Sequence, residues 1–403
     1  MALTMTTADS ALKEDYQPAI REQLNNEIMM LAQIEAKSTD VEGRRAVLNL
    51  HVSRNSGVGP RAEGGTLPTA GSQGYAEERV SLKSNYGRIQ LNGQVIRAMK
   101  SDAGSFTRAV ESETKGVVAD LKREVNYQVF NNVEGTIATC ASESSKVYTL
   151  ATATDSSQMR RLEVGMKVDI GTLANPDLRV AGGTIQSTTG VTITLDVDPL
   201  TGSVDGSDFV TIAGSKTAAG STLGLTGLRA IVSATGTLFN IAPGTYPVWA
   251  STANGNSGTN RAATDNLFET VIDEIFMQSG EAPNFIVTSP GARRNFAAQL
   301  KSQKRFADSV DLKGGFKALT VDAGNTSLPI AIDRDNPDNT AFLLNTDALT
   351  QHQSSDWEFM DEDGAVLNRV AGVDAYEATL FKYHELTTDR RNTHGIITDL
   401  LES

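Results

Sequence analysis

From about Ser101 to Val133 the chain reads SDAGSFTRAVESETKGVVADLKREVNYQVFNNV, and its apolar residues recur at Phe106, Val110, Val117 with Val118, Leu121, Val125, Val129 with Phe130, and Val133. Steps of three, four and seven residues put them on one face of a helix. At about 1.5 Å per residue that helix reaches on the order of 45 Å, the width of a domain. Ser101 or Ser105 can cap its start, Glu111 and Glu113 lie early, and the opposite face is charged. Gly116 is its weak point, costing roughly 1 kcal/mol relative to Ala. A single long helix with one apolar stripe suits an extended subunit better than an ordinary compact core. A coiled-coil helix is the alternative, but its 3.5-residue seam would need to persist over more heptads than this stripe shows.

The chain is long enough, at 403 residues, for two or three domains. With 39 % hydrophobic residues and only 6 % aromatics, its cores must be built from Val, Leu, Ile and Ala. A formal charge of -13 repels nucleic acid and anionic membranes, which speaks against a groove-reading DNA binder. Cys140 is the sole cysteine, so neither a disulfide framework nor a cysteine-based zinc site is available. No run of 18 apolar residues occurs, and MALTMTTADSALKEDY has neither a basic n-region nor an apolar h-region; no membrane span and no signal peptide are expected.

Before the long helix, Pro18 to Lys37 carries Ile20, Leu24, Ile28, Leu31 and Ile34, a second amphipathic helix opening at a proline. It forms an N-terminal arm with a polar leader. In RRAVLNLHVSR, Arg44 to Arg54, Leu48, Leu50 and Val52 alternate with Asn49, His51 and Ser53, a half-buried strand. Next, SGVGPRAEGGTLPTAGSQG, Ser56 to Gly74, holds six glycines and two prolines. A return strand has Val80, Leu82 and Tyr86 on one parity and Ile89 and Leu91 on the other, which suggests a bulge or kink at Gly87. Together these make a long hairpin with a glycine-rich tip. Ordering such a tip costs about 1 to 2 kcal/mol per residue in backbone entropy. Either the tip is floppy, or a neighbouring subunit orders it. The charges that flank it, Arg54, Arg61, Glu63, Glu77, Glu78, Arg79 and Lys83, are mixed in sign and suit contact with copies of the same protein.

Beyond the long helix, Gly135 to Ser221 shifts to Thr, Ser, Gly, Asp and Val, with short alternating runs at Val147 to Leu150, Met166 to Ile170, Val191 to Leu195 and Val210 to Ile212. Turn signals at Asn175-Pro176, Gly182-Gly183, Gly190 and Asp198-Pro199 separate them, and the spacing predicts a small inserted β module, a barrel or a sandwich. GLRAIVSATGTLFNI then offers strand-like Ile231-Val232 and Leu238 to Ile241. Asp265 to Gln278 carries Leu267, Phe268, Val271, Ile272, Ile275 and Phe276, a helix with a buried face. NFIVTSP is a short strand ending in Ser289-Pro290, an N-cap and first-turn pair for the next helix. Leu328 to Ile332, Ala341 to Leu344, Trp357 with Phe359, and Tyr376 to Leu386 read as closing strands. The whole is an α+β chain.

No catalytic constellation stands up. Gly214-Ser215-Lys216-Thr217 lacks the preceding phosphate-loop spacing, the glycines around Gly57 to Gly65 lead into no helix, and VTSPG at Ser289 is not a nucleophile elbow. His51, His352, His384 and His394 have no ligand spacing. Asp333, Asp335 and Asp338, and Asp361, Glu362 and Asp363, read as turns; Pro337 occupies what would be a calcium-ligand position in the first group. No cofactor or metal is expected, and the chain is not read as an enzyme.

The order of parts resembles the major capsid proteins of tailed bacteriophages with the HK97-type fold, shared with encapsulin shells. The resemblance rests on EERVSLKSNYGRIQLNGQVIRAMKSDAGSF (Glu77 to Phe106), VGMKVDIG (Val164 to Gly171) with the following VTITLDVDP, and GLRAIVSATG. It implies an N-terminal arm over 1–43, an extended loop over 44–98, the spine helix of a peripheral domain over 99–134, an inserted β-rich domain over 135–222, peripheral strands and a loop over 223–264, an axial domain over 265–349 and returning strands over 350–403. It also implies a structural subunit that self-assembles into hexamers and pentamers of an icosahedral head, built in the host bacterial cytoplasm and enclosing double-stranded DNA. Portal, scaffolding and decoration proteins are the partners such a subunit meets; no membrane is involved. Because the arm helix starts close to Met1, any scaffold is expected to be a separate protein. Some members cross-link through a loop lysine; Lys83 lies on a strand away from the tip. An encapsulin-like compartment, a tail-tube subunit and a hydrolase are the competing classes. The β insertion, the two helical stripes and the missing catalytic constellation speak against them in turn.

Overall fold

The computed structural model describes residues 29–402 except 39–40, 44, 95–102, 132–134, 152–155, 173–177, 201–203, 217–220, 303–308, 312–316, 324–325 and 362–365. Most of the arm helix expected over 18–37 lies outside the described residues. Its end is α1 (Met29–Gln33), after which the chain turns into a short strand, β1 (Glu35–Lys37), rather than continuing as helix. The strand gains a parallel ladder with Thr350 to His352, while Ile34 stays buried at the bend.

After the two-residue β2 (Val41–Glu42), β3 (Arg45–Ser53) and β4 (Gly74–Ser81) form the antiparallel hairpin, with Ala46 opposite Val80 and Leu50 opposite Ala76. The return strand breaks at Leu82, between β4 and β5 (Lys83–Asn92), and not at Gly87 as the parity suggested. Within β5 the inward residues are Asn85, Gly87, Ile89 and Leu91, so Tyr86 faces solvent. Gly87 keeps the strand regular while removing an apolar side chain from the pattern, which is why the parity misleads.

The long helix is α2 (Ala103–Val129). Of its stripe, Val118, Leu121 and Val125 are buried with Ile89, Trp357 and Leu380, while Val129 joins the adjoining Phe130 in a second cluster with Val287 and Phe342. Phe106, Val110 and Val133 lie outside the described side chains. One helix therefore serves two sheets, because its stripe is longer than either core.

Six strands then close into a barrel: β6 (Ala138–Ser144), β7 (Val147–Leu150), β8 (Lys167–Thr172), β9 (Leu178–Thr189), β10 (Thr192–Leu195) and β11 (Asp208–Ile212). The barrel has its own core, with Tyr148, Val168, Ile170, Val180, Ile193 and Val210 fully buried. Gly182-Gly183, expected as a turn, lies inside β9; the β8–β9 register slips there, and Asp169 accepts the Gly182 N–H at 2.7 Å. A short helix, α3 (Ser156–Arg161), lies between β7 and β8 in the chain.

Residues read as strand-like after the barrel form a one-turn helix instead, α4 (Leu228–Ile231), and Leu238 pairs with Ile241 only as an isolated bridge. A seven-stranded sheet follows, in the order β12-β22-β17-β13-β16-β15-β14. Its members are β12 (Thr252–Asn254), β13 (Phe285–Thr288), β14 (Ser309–Asp311), β15 (Lys317–Ala323), β16 (Thr326–Ile332), β17 (Ala341–Leu344) and β22 (Gly395–Ile397). Central β13 and β17 are buried at every residue, as strands covered on both faces must be. One face, with Ile286 and Leu343, carries α5 (Asp265–Ser279) and α6 (Pro290–Ser302). The other, with Phe285 and Phe342, receives the end of α2.

Thr264 caps α5 through its hydroxyl, and Ser289 caps α6 by accepting the Ala292 N–H at 3.3 Å with Pro290 in the first turn. Phe276, expected on the buried face of α5, is 55 % exposed because the apolar stripe ends at Ile275. The remaining strands, β18 (Leu349–Gln353), β19 (Glu358–Phe359), β20 (Asn368–Arg369) and β21 (Ala375–Thr388), join β1 and β5 in a six-stranded sheet under α2. β21 is its axis, paired with β5 from Asn92 opposite Ala375 to Lys83 opposite His384.

Candidate assembly surfaces

The hairpin is amphipathic across its thickness. Ala46, Leu50 and Val80 turn inward, whereas the outer face carries Val47 at 52 % and Tyr75 at 66 % exposure. His51 and Tyr75, directly opposite, pack edge to face with ring centroids 5.6 Å apart, and His51 also bonds Gln73. Between the strands, residues 54–73 are held at their neck by Asn55, which donates to the Gly71 carbonyl at 2.9 Å and accepts the Gly57 N–H. Farther out Val58 is 70 % and Leu67 81 % exposed.

Of the seven charged residues singled out in the sequence, Arg54, Arg61, Glu63, Glu77 and Arg79 are exposed. Arg61 donates to the Pro60 carbonyl, and Arg79 pairs with Glu77 at 3.0 Å on the outer face. The other two are not on the exposed face. Lys83 donates to the Thr222 carbonyl at 3.0 Å, beside the buried Glu385 carboxyl. Glu78 turns inward opposite Leu48, is fully buried, and among the described residues neither carboxyl oxygen has a hydrogen-bond partner. Burial first, and the Asp389 carboxylate second, push its pKa up to about 8, so it is held as the neutral acid at neutral pH.

A cavity of about 480 Å³ lies where α2, α3 and the start of β8 meet the turn at Arg334 and Asp335. Ion pairs line it: Arg123 with Glu163 at 3.0 Å, and Arg161 with Glu124 at 2.6 Å, the Arg161 guanidinium stacked 3.5 Å over the Tyr127 ring. Asn126 donates to both Asp333 and Asp335, which pins that turn to α2. Among the described residues no Ser, Cys or His lines the cavity. Its chemistry is that of a joint between α2, the barrel and the turn that follows β16. Sequence pattern gave no sign of it, since its partners lie up to 209 positions apart.

The other candidate chemistries resolve into structure. Asp169 accepts the Gly214 N–H, where a phosphate-loop reading would put the ligand. His384 bonds Asn85 and Gln351, and His394 accepts from the Asn345 N–H, both fully buried. Burial keeps both imidazoles neutral, with His394 lowered to about 3. Among the described residues no group of three or more His, Cys, Asp or Glu side chains is placed to hold a metal; Glu362 and Asp363 lie outside them. Arg391 is a feature the sequence did not flag: buried, it donates to the carbonyls of Ala230, Ile231, Thr235, Gly236 and Trp249.

Residues 207–401, just under half of the chain, match the SU10 major capsid protein family. No curated protein matches the sequence. Among solved structures the chain is similar to the capsid asymmetric unit of cyanophage A-1(L), with a TM-score of 0.56 at 15 % identity over 92 % of both chains. It is also similar to the holo-SrpI encapsulin complex of Synechococcus elongatus PCC 7942, with a TM-score of 0.50 at 9 % identity over 93 % of this chain and 88 % of that one. At such identities the likeness is one of fold.

Proposed function

We propose that this chain is a phage major capsid protein with an HK97-like fold, and that its copies close into an icosahedral head of hexamers and pentamers around packaged double-stranded DNA. Its role is structural rather than enzymatic, and its place is the virion capsid. In this reading residues 44–98 are the extended loop that rests on a neighbour, 99–134 the spine of the peripheral domain, 135–222 an inserted domain and 265–349 the axial domain. The N-terminal arm over 1–43, the segment 223–264 and the returning strands over 350–403 complete the layout. The observation that carries the reading is the hairpin, whose tip leaves Val58 and Leu67 uncovered by its own chain. A net charge of -13 supports an enclosure that holds DNA without binding its sequence. Portal, scaffolding or decoration proteins are further partners of such a lattice.

Electron microscopy of the protein, expressed alone and with its neighbouring genes, tests this: closed shells or capsomer rings are expected, and a monomer in both preparations would overturn it. Deleting 56–74 should leave a folded monomer that forms no closed shells. An encapsulin-like compartment is the second reading, favoured by the fold shared with the SrpI structure. A co-purifying enzyme cargo inside closed shells would select it over the phage head.

A further inference from the structure

Two helices on one layer of the axial segment carry opposite charge. α5 contains Asp265, Glu269, Asp273 and Glu274 and no basic residue; α6 contains Arg293, Arg294 and Lys301 and no acidic one. Both pack on the same face of the seven-stranded sheet, where Phe268 and Phe296 meet edge to face at 5.5 Å. On α5 the outward residues Glu269, Asp273, Phe276 and Met277 fall at steps of four, seven and eight, and therefore form one stripe. That stripe includes the largest apolar exposure of the helix, Met277 at 85 % beside Phe276 at 55 %. On α6, Arg294 is exposed and is anchored by one bond to the Glu402 carbonyl at 2.9 Å, and Arg293 is half-buried next to it.

We infer that the acidic, Phe276- and Met277-bearing stripe of α5 docks on the Arg293–Arg294 surface of α6 in a second copy of this chain. The inference rests on the capsid reading and names the contact by which axial segments meet. Charge complementarity between two surfaces of one chain selects the occupant: a surface that is acidic on one helix and basic on the other matches its own copy head to tail. Such a contact is heterologous, and heterologous contacts close into rings when the rotation permits. The apolar pair supplies the desolvated centre, and the charges around it set register and suppress the two-fold arrangement, in which acidic would face acidic.

The test compares four full-length chains under identical assembly conditions: wild type, Glu269→Lys with Asp273→Lys, Arg293→Glu with Arg294→Glu, and all four substitutions together. Rings and shells are counted by electron microscopy and sedimentation. Either double reversal should lower their yield at least tenfold, and the fourfold chain, in which each contact regains opposite charges, should return to within about twofold of wild type. Assembly of the double reversals at wild-type yield, or no recovery in a folded fourfold chain, overturns the contact while leaving the capsid reading intact. A wild type that never assembles overturns both. Phe276→Gln with Met277→Gln, at positions outside the fold's core, decides the matter if a reversed chain does not fold: loss of assembly with an unchanged melting temperature supports the contact, and retained assembly overturns it.

Discussion

Gly87 lies against Leu121: a Cβ on Gly87 would sit 2.4 Å from Leu121 Cδ1 and 2.7 Å from Val117 Cγ1. The glycine lets β5 pass directly beneath α2, so the helix settles onto the six-stranded sheet at the midpoint of the β5–β21 ladder. Gly87→Ala should therefore push helix and sheet apart and destabilise the fold by about 1 to 3 kcal/mol, as overpacking does. A fall in the urea midpoint checks it; an unchanged midpoint would mean that the helix rides higher than this.

Gly116 is the opposite case, an exposed glycine inside α2 whose Cβ would meet nothing within 4 Å. Gly116→Ala should stabilise the chain by roughly 1 kcal/mol through helix propensity alone. The urea midpoint should rise with an unchanged slope.

Glu78 gives a pH dependence with a definite sign. Its carboxyl ionises near 4.5 in the unfolded chain and near 8 when buried in the folded one. Between those values the folded chain holds the extra proton, so stability falls as pH rises, at about 1.4 kcal/mol per pH unit, and levels off above the folded value. Glu78→Gln removes that titration. The melting temperature of the variant relative to wild type should climb from about pH 5 to about pH 8; a constant difference would sink the assignment. Glu385 and Asp333, raised by burial to about 7 and about 6, titrate in both proteins and cancel from the comparison.

Arg391 ties the segment 230–249 to the end of β21 with bonds of 2.8 to 3.5 Å to five carbonyls. Arg391→Met keeps much of the length of the side chain and leaves those acceptors buried, at a cost of roughly 3 kcal/mol or more. Arg391→Lys should recover only part of it, because an ammonium cannot reach several carbonyls in one plane as a guanidinium does. Chemical denaturation of both variants measures the difference.

Periodicity along the chain determined α2, the hairpin strands, the barrel strands at Val147 and Lys167, the Ser289-Pro290 helix start and the closing strand β21. Each of these is a local pattern, three to four residues for a helix face and two for a strand face, and the residues that create it are neighbours in the sequence. The family resemblance likewise came from the order of such patterns, which no single contact decides. Tertiary structure alone decided where the patterns had gaps or served two purposes. Gly87 has no side chain to register a parity, so only the approach of Leu121 reveals which way it faces. The three residues Glu35–Lys37 are too few and too polar to announce a strand, and theirs exists because Thr350 to His352 offer it a ladder. Glu78 reads as a surface charge until the hairpin folds onto the core and strips its water. The same holds for the joint around Arg161 and for the reach of Arg391: both depend on groups brought together from distant parts of the chain, and a one-dimensional pattern carries no information about desolvation or about partners that meet only in the fold.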